Sequence, residues 1–323
     1  MKFGIVYLYQ KNYLLTPLFD INMKENMTFS WKIRSKLSSF YIYKISKHFV
    51  KFEMIINILF NFQNPFQTLK TIKAGQYPLR LTKKNKTFEI KNKFELSLIL
   101  KNLDQKITFE DGYMIIKNNS KKLKFKHYET IELDIFLQDY YSKLPVKNKI
   151  LIDVGGNVGD SSLLYSSLGA KKVIMLEPQP KFFEFAIENI KSNEYSNIQL
   201  INAGLSNASG YFKINYEKSD KTFAFQEDDI HGIQIPKTTL EEIISKIPDS
   251  NLVLKLDCEG CEYEVLLDSL DDVLKKFDYI LLEFHSGFQN ISNRLKNLGF
   301  NVTILNSKYT PKKQYRGHLL ASK

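Results

Sequence analysis

A chain of 323 residues, 43% of them hydrophobic, can bury one large core or two modest ones and is not an extended, disordered chain. Two cysteines exclude a disulfide scaffold, and with no N-terminal apolar stretch ahead of a small-residue cleavage site the expected compartment is the cytoplasm. The net charge of +11 is uneven, with 27 Lys and Arg against 12 Asp and Glu in residues 1–150 and 19 against 23 in residues 151–323, and the excess is almost all lysine, which attracts phosphate without reading it and so argues against a nucleic-acid partner.

Residues 1–72 read as a basic, aromatic, helical N-terminal extension. Tyr41, Ile45, Phe49, Phe52, Ile56 and Leu59 recur at helical spacing beside Lys44, Lys47 and Lys51, a stripe that suits packing on a core or peripheral contact with an anionic membrane. The uncharged run from Met54 to Leu69 contains Pro65 and several amides and is too short and polar to span a bilayer. Residues 73–148 read as a small β-rich subdomain and a lead-in helix. Lys86–Ile90 and Gly112–Ile116 alternate, Asp111-Gly112 is a turn signal, and Ile135, Phe136, Tyr140 and Tyr141 suggest a helix that leads through Pro145.

From Lys149 onward the pattern is α/β. Lys149–Val154 is a near-continuous apolar run, the mark of a buried parallel strand, and it feeds Gly155, Gly156, Asn157 and Gly159, a turn open to close approach by a ligand. Asp160 or Ser161 is expected to cap the next helix and Gly169 to end it. Lys172–Leu176 is a second strand closed by Glu177 and Pro178, which leaves a carboxylate free for two ribose hydroxyls. The following helix is expected to bury Phe183, Ala186, Ile187 and Ile190.

A dinucleotide site would place a pyrophosphate on this turn. Here the strand ends in Asp153, which repels a pyrophosphate and suits a cofactor carrying an ammonium and a sulfonium, as S-adenosylmethionine does. The loop after the third strand, with Asn202 and Ala203, completes the expected cofactor side. A fourth strand, Leu252–Leu256, delivers Lys255, Asp257, Cys258, Glu259, Cys261 and Glu262 into a helix that should bury Val265, Leu266 and Leu270. Lys255 reads as a counter-ion for the acids, and Asp257 and Glu259 as acceptors facing cofactor or substrate. Tyr279–Leu282 is a fifth strand, and alternation puts Glu283 and His285 beyond it on one side. Phe300–Leu305 and His318–Ala321 read as two short strands around a turn at Pro311.

The strings from Asp153 to Asp160, Glu177 to Pro180, Lys255 to Glu262 and Glu283 to His285 together resemble the motifs of the FkbM-type S-adenosylmethionine-dependent methyltransferases, over roughly Ile131 to the C-terminus. The resemblance implies an α/β, Rossmann-like, mostly parallel seven-stranded sheet that ends in an antiparallel hairpin. It also implies O-methylation of hydroxyl groups on saccharides or related small molecules. Cys258 and Cys261 stand where aliphatic or small residues are expected, and the loop from Asn202 to Ser206 is richer in glycine than usual.

Positioning alone supplies up to about 7 to 11 kcal/mol in a methyl transfer, and a general base adds roughly 10² to 10⁴-fold. His285 is the expected base by its ordinary pKa, followed by Asp257 and Glu259, with a merely structural histidine as the alternative. The sequence does not require a metal, although Asp257, Glu259 and Glu283 suit a divalent ion. Cys258 and Cys261 are expected to be neither a disulfide nor half of a zinc site, since no second pair exists. Two rivals remain: an RNA or DNA methyltransferase, against which Asp257 lacks the following prolines and aromatic, and a non-catalytic nucleotide-binding or membrane-surface scaffold. The loop from Ser219 to Gln234, expected to line the acceptor pocket, carries no motif that identifies the acceptor.

Overall fold

In this computed structural model the described residues are 55–83, 86–100, 106–118, 121–214, 233–248, 251–310 and 314–323, with the backbone of 5–10 and 13–19. Two compact units divide after Ile107.

The first unit opens with an antiparallel pair, β1 (Ile5–Gln10) and β2 (Tyr13–Phe19), so its start is not helical as expected. Residues 55–61 are helical, and the expected stripe is displaced: Ile58 and Phe62 face the core while Ile56 is exposed. The rest of that stripe, Tyr41 to Phe52, lies outside the described residues. Helix α1 (Pro65–Ala74) starts on a proline whose missing N–H is no loss there and stops at Gly75, whose left-handed φ of 68° closes the end. The hairpin of β3 (Leu79–Lys83) and β4 (Lys86–Ile90) and helix α2 (Lys93–Leu100) complete a small core of Ile58, Leu79, Leu81, Ile90, Leu96 and Ile99. No helix among the described residues is long and apolar enough to cross a membrane.

The second unit begins with a three-stranded sheet of β5 (Ile107–Glu110), β6 (Tyr113–Asn118) and β7 (Lys121–Phe125), with Asp111 and Gly112 in the left-handed conformations of the expected turn. The expected lead-in helix is only one turn, α3 (Asp134–Leu137), followed by a 3₁₀ turn at Tyr141–Lys143. Then the α/β part runs through β8 (Ile150–Val154), α4 (Asp160–Ser167), β9 (Lys172–Leu176), α5 (Pro180–Lys191) and β10 (Ile198–Ile201). A small sheet intervenes, of β11 (Gly204–Leu205), β12 (Gly210–Ile214) and β13 (Ile233–Thr238), followed by α6 (Leu240–Ile244). The chain ends with β14 (Leu252–Leu256), α7 (Cys261–Asp268), α8 (Asp271–Leu274), β15 (Phe277–Phe284), α9 (Gln289–Asn297), β16 (Asn301–Tyr309) and β17 (Tyr315–Ser322).

Seven of these strands form the expected sheet, in the order β10-β9-β8-β14-β15-β17-β16, with β17 antiparallel to both neighbours. The last hairpin is longer than the two short strands expected, and its turn at Pro311 lies outside the described residues. The strand order reverses between β8 and β14, and in such sheets ligands bind beyond the carboxyl ends of the strands at this place. Alternation explains why these strands read as unbroken apolar runs: Ile150, Ile152 and Val154 join one core cluster and Leu151 the other, on the two covered faces of the sheet.

Two expected burial patterns are corrected. Phe183 and Ile187 are only half-buried because Asn189 takes the inward position on α5, where it bonds His127 and Val158. Leu270 is 66% exposed because α7 ends at Asp268 and the chain turns before reaching it.

The same alternation sets Asp153 and Lys255 side by side in register on β8 and β14, both fully buried. Their charges meet at 3.1 Å. Burial, the largest single influence, would push the ammonium of Lys255 down, but the carboxylates of Asp153, Asp257 and Asp160 together outweigh it and raise its pKa. Removing one partner of such a pair strands the other charge, at a cost of about 3 to 5 kcal/mol. Lys255→Met should therefore lower the unfolding free energy by that much in urea titration followed by circular dichroism. Adding Asp153→Asn, which removes the stranded charge and keeps an acceptor, should restore part of it, and a double variant no more stable than the single would contradict this account.

Candidate functional site

The turn after β8 carries three left-handed residues in five, Gly155, Asn157 and Gly159, at φ of 73°, 48° and 84°. A Cβ on Gly155 would lie 1.9 Å from the carbonyl oxygen of Asp257, and one on Gly156 would lie 2.4 Å from the Met175 side chain. The glycines are thus required by the protein's own neighbouring strands, and the amides of both residues donate to the Leu176 carbonyl. Asp153 is likewise turned inward, where one oxygen accepts from Ser161 at 2.7 Å and Ser162 at 2.6 Å and the other meets Lys255. Lys255 Nζ donates to the carbonyls of Val154 at 3.2 Å and Gly155 at 2.9 Å. The polar groups of Asp153, Ser161 and Lys255 are thus bonded to one another and to the turn, below the surface.

Neither expected cap forms. Gly159 is the N-cap of α4 with no side-chain bond. Asp160 instead accepts from its neighbour Ser161 and from the backbone of Glu132 at 3.0 Å, which ties the lead-in segment to the turn. Burial raises its pKa to about 6, against the pull of the Glu132 amide and of Lys255. Gly169 does end the helix: its N–H reaches the Ser166 carbonyl while that of Ala170 reaches Tyr165.

Glu177 closes β9 and is buried. Its two oxygens accept from the backbone of Asn157 at 2.9 Å and of Gln179 at 2.8 Å. Each oxygen keeps a second lone pair, the number needed for two ribose hydroxyls. Asn202 secures this corner from behind by donating to the carbonyls of Glu177 at 2.8 Å and Pro178 at 3.1 Å, and Ala203 is buried beside it. Asn157 Nδ2 donates to Thr130, but its Oδ1 is buried with no hydrogen-bond partner, an acceptor suited to the ammonium of an amino-acid moiety. The corner therefore fits S-adenosylmethionine.

Beyond β14 and β15 four carboxylates surround one imidazole. His285 Nδ1 lies 2.8 Å from Glu262, a fully buried residue to which the sequence alone assigns no role. Its Nε2 lies 3.2 Å from Glu259 and 3.8 Å from Glu283. Burial alone would lower the pKa of His285, but its contacts with Glu259 and Glu262 outweigh that and push it up to about 10. Carboxylates on both sides of the ring favour the protonated imidazole, which works against the expected role of general base. Asp257, half-buried, accepts from the Tyr141 hydroxyl at 3.1 Å. Burial, helped by the Asp257 charge, keeps that phenol far above its usual pKa and hence a donor. Tyr141 had been read only as part of the lead-in helix, since nothing local marks a residue that reaches 116 positions along the chain.

The cysteines are also corrected. Glu259 and Gly260, at φ of 56° and 140°, fold the chain so tightly that Cys258 and Cys261 come within 5.5 Å at Cα and close a disulfide. Nearly all the expected site residues thus converge on the carboxyl edge of β8, β9, β14 and β15. Of the expected acceptor loop, residues 215–232 lie outside the described residues.

Residues 153–302 match the family model described as methyltransferase FkbM domain. A Methanocaldococcus jannaschii protein, provisionally named a protein N5-glutamine methyltransferase, is 28% identical over 205 residues, 59% of this chain and 90% of its own length. Among solved structures, precorrin-6y C5,15-methyltransferase from Geobacter metallireducens aligns at 16% identity over 61% of this chain and 93% of its own, with a TM-score of 0.38. A Streptococcus mutans protein provisionally called a methyltransferase, solved with S-adenosylhomocysteine, aligns at 15% identity over 60% of this chain and 100% of its own, with a TM-score of 0.35.

The burial of Glu177 has a signature in stability. Its carboxyl is held up at about 8 from an ordinary 4.5, mainly by burial and against the two amides it accepts. Between those values the folded state binds more protons than the unfolded one, so this group destabilises the fold as pH rises from about 4.5 to about 8, by at most about 1.4 kcal/mol per pH unit. Urea titrations across that window should show a steeper loss of stability in the wild type than in Glu177→Gln. Parallel curves would contradict the assignment.

Proposed function

Residues 153–302 being an FkbM-type methyltransferase domain with S-adenosylmethionine as its cofactor, we propose that the chain transfers the methyl group to a hydroxyl of a saccharide or related small molecule. The observation that carries this reading is the Asp257 carboxylate, held by Tyr141 on a backbone that packs directly against Gly155 of the cofactor turn. An oriented acid beside the cofactor turn supports proton removal from an acceptor hydroxyl.

Bound cofactor supplies a methyl group on a sulfonium, which leaves by in-line displacement. The chain has three tasks. Glu177 and Asn157 hold the cofactor through its ribose and ammonium. Asp257 would accept the proton of the acceptor hydroxyl as its oxygen takes up the methyl group. His285, charged and fixed between Glu259 and Glu262, keeps those two carboxylates oriented along the acceptor side. A carboxylate base is weak against an alcohol, so positioning carries most of the acceleration.

The jannaschii relative supports a second reading, methyl transfer to the amide nitrogen of a protein glutamine. The two differ in their products. Incubating cell extract with methyl-labelled cofactor and the enzyme, then hydrolysing in acid, releases methylated sugars from an ether and methylamine from an N-methyl amide. Label recovered as methylamine would replace the hydroxyl reading with the amide one.

Two variants test the roles. Glu177→Ala should weaken S-adenosylhomocysteine binding by roughly 10 to 150-fold in calorimetry, the loss of two hydrogen bonds worth together about 1.5 to 3 kcal/mol. Asp257→Asn should lower turnover by about 10² to 10⁴-fold with that affinity nearly unchanged. Near wild-type turnover in Asp257→Asn would remove the base from the mechanism.

A further inference from the structure

We propose that Asp257, Glu283 and His285 bind a divalent metal ion, of the kind that accepts a mixed set of carboxylate and imidazole ligands, beside the acceptor position. One oxygen of Asp257, one of Glu283 and one ring nitrogen of His285 lie within 4.8 Å of one another. Two ligands at about 2.1 Å from one ion are at most about 4.2 Å apart, so side-chain movements of a fraction of an ångström close the site. The residues come from the adjacent ends of β14 and β15, and the register that pairs Leu256 with Leu282 sets the ligands opposite one another.

A second observation concerns the imidazole. His285 is 4% exposed, and its Nε2 faces two carboxylates, Glu259 at 3.2 Å and Glu283 at 3.8 Å. Its other nitrogen is held at 2.8 Å by Glu262, whose second oxygen accepts from Gly260 at 2.8 Å. A carboxylate behind the far nitrogen of a histidine is the arrangement that fixes a metal-ligating ring, turning Nε2 toward the ion. A proton and a metal compete for that nitrogen, so loading the site releases the proton.

The ligand set selects the ion. Magnesium and calcium favour oxygen alone, whereas one imidazole with two carboxylates suits manganese and its first-row neighbours. Three protein ligands leave coordination positions open, and Asp257 is only half-buried, so an acceptor oxygen can reach the ion. There the ion would lower the pKa of an alcohol and make the proton easier for a carboxylate to take. That catalytic role rests on the hydroxyl reading above, but the binding does not.

The test uses the full-length chain stripped by a chelator and titrated with manganese chloride alone. Expected are one saturable ion per chain by calorimetry and, in pulsed electron paramagnetic resonance, coupling of the bound ion to a histidine nitrogen. Glu262→Gln, which leaves the ligands in place, should weaken binding by about 10 to 100-fold with circular dichroism unchanged. Absence of saturable binding, or bound manganese with no nitrogen coupling, overturns the site whatever the acceptor proves to be. Manganese bound with nitrogen coupling while label appears as methylamine keeps the site and removes only the hydroxyl reading.

Discussion

The buried pair of Asp153 and Lys255 is the interaction on which the functional edge of the sheet depends. It joins β8 to β14 where the strand order reverses. Two charges taken out of water cost several kcal/mol each, and their attraction offsets this only when the remaining polar capacity is also used. Here it is used: two serine hydroxyls of α4 satisfy Asp153, and two carbonyls of the glycine turn receive Lys255. The pair thereby fixes the start of the helix and the path of the turn together. With the turn fixed, Gly155 comes close enough to Asp257 that no other residue fits, which joins the cofactor side of the site to the acceptor side.

Two buried environments on this edge shift their groups for different reasons. Glu177 has backbone amides around it and no adjacent cation strong enough to offset burial, so it retains its proton well above the ordinary range. His285 is buried as well, but among carboxylates, and there electrostatic attraction prevails over desolvation. Burial thus favours the neutral form of one group and neighbouring carboxylates the charged form of the other, while Asp257 is only half-buried. Its neighbours keep it there. The Tyr141 phenol cannot ionise in that setting, so it remains a donor and the carboxylate retains a fixed orientation.

The turn between β14 and α7 shows how strain and chemistry coincide. Glu259 takes a left-handed φ that costs a residue with a side chain of order 1 kcal/mol or more. In return its carboxylate reaches His285, and the same turn brings Cys258 against Cys261. The cross-link spans only three positions, so it constrains the local path of the chain far more than it constrains the unfolded state.

Much of this was legible in the sequence because the information was local. Strands β9 and β14 begin and end where their apolar runs do, and Gly169 and Glu177 stand where a helix end and a strand end require them. The seven-stranded sheet followed from a family resemblance carried by four short strings, each at a strand end. What the sequence could not show was which carboxylate faces which partner. Asp153 and Glu177 are alike in one dimension, yet one faces a lysine 102 positions away and the other only amides. Lys255, His285 and Tyr141 each have chemistry that suits catalysis. Tertiary contacts commit the first to a brace and give the second a proton it holds, and they make the third a clamp. By itself the sequence determined the order of the elements and the residue types at their ends, because period and turn chemistry act over a few residues. Only the tertiary structure decided protonation and role, because desolvation and Coulomb attraction depend on neighbours that the chain brings together from distant positions.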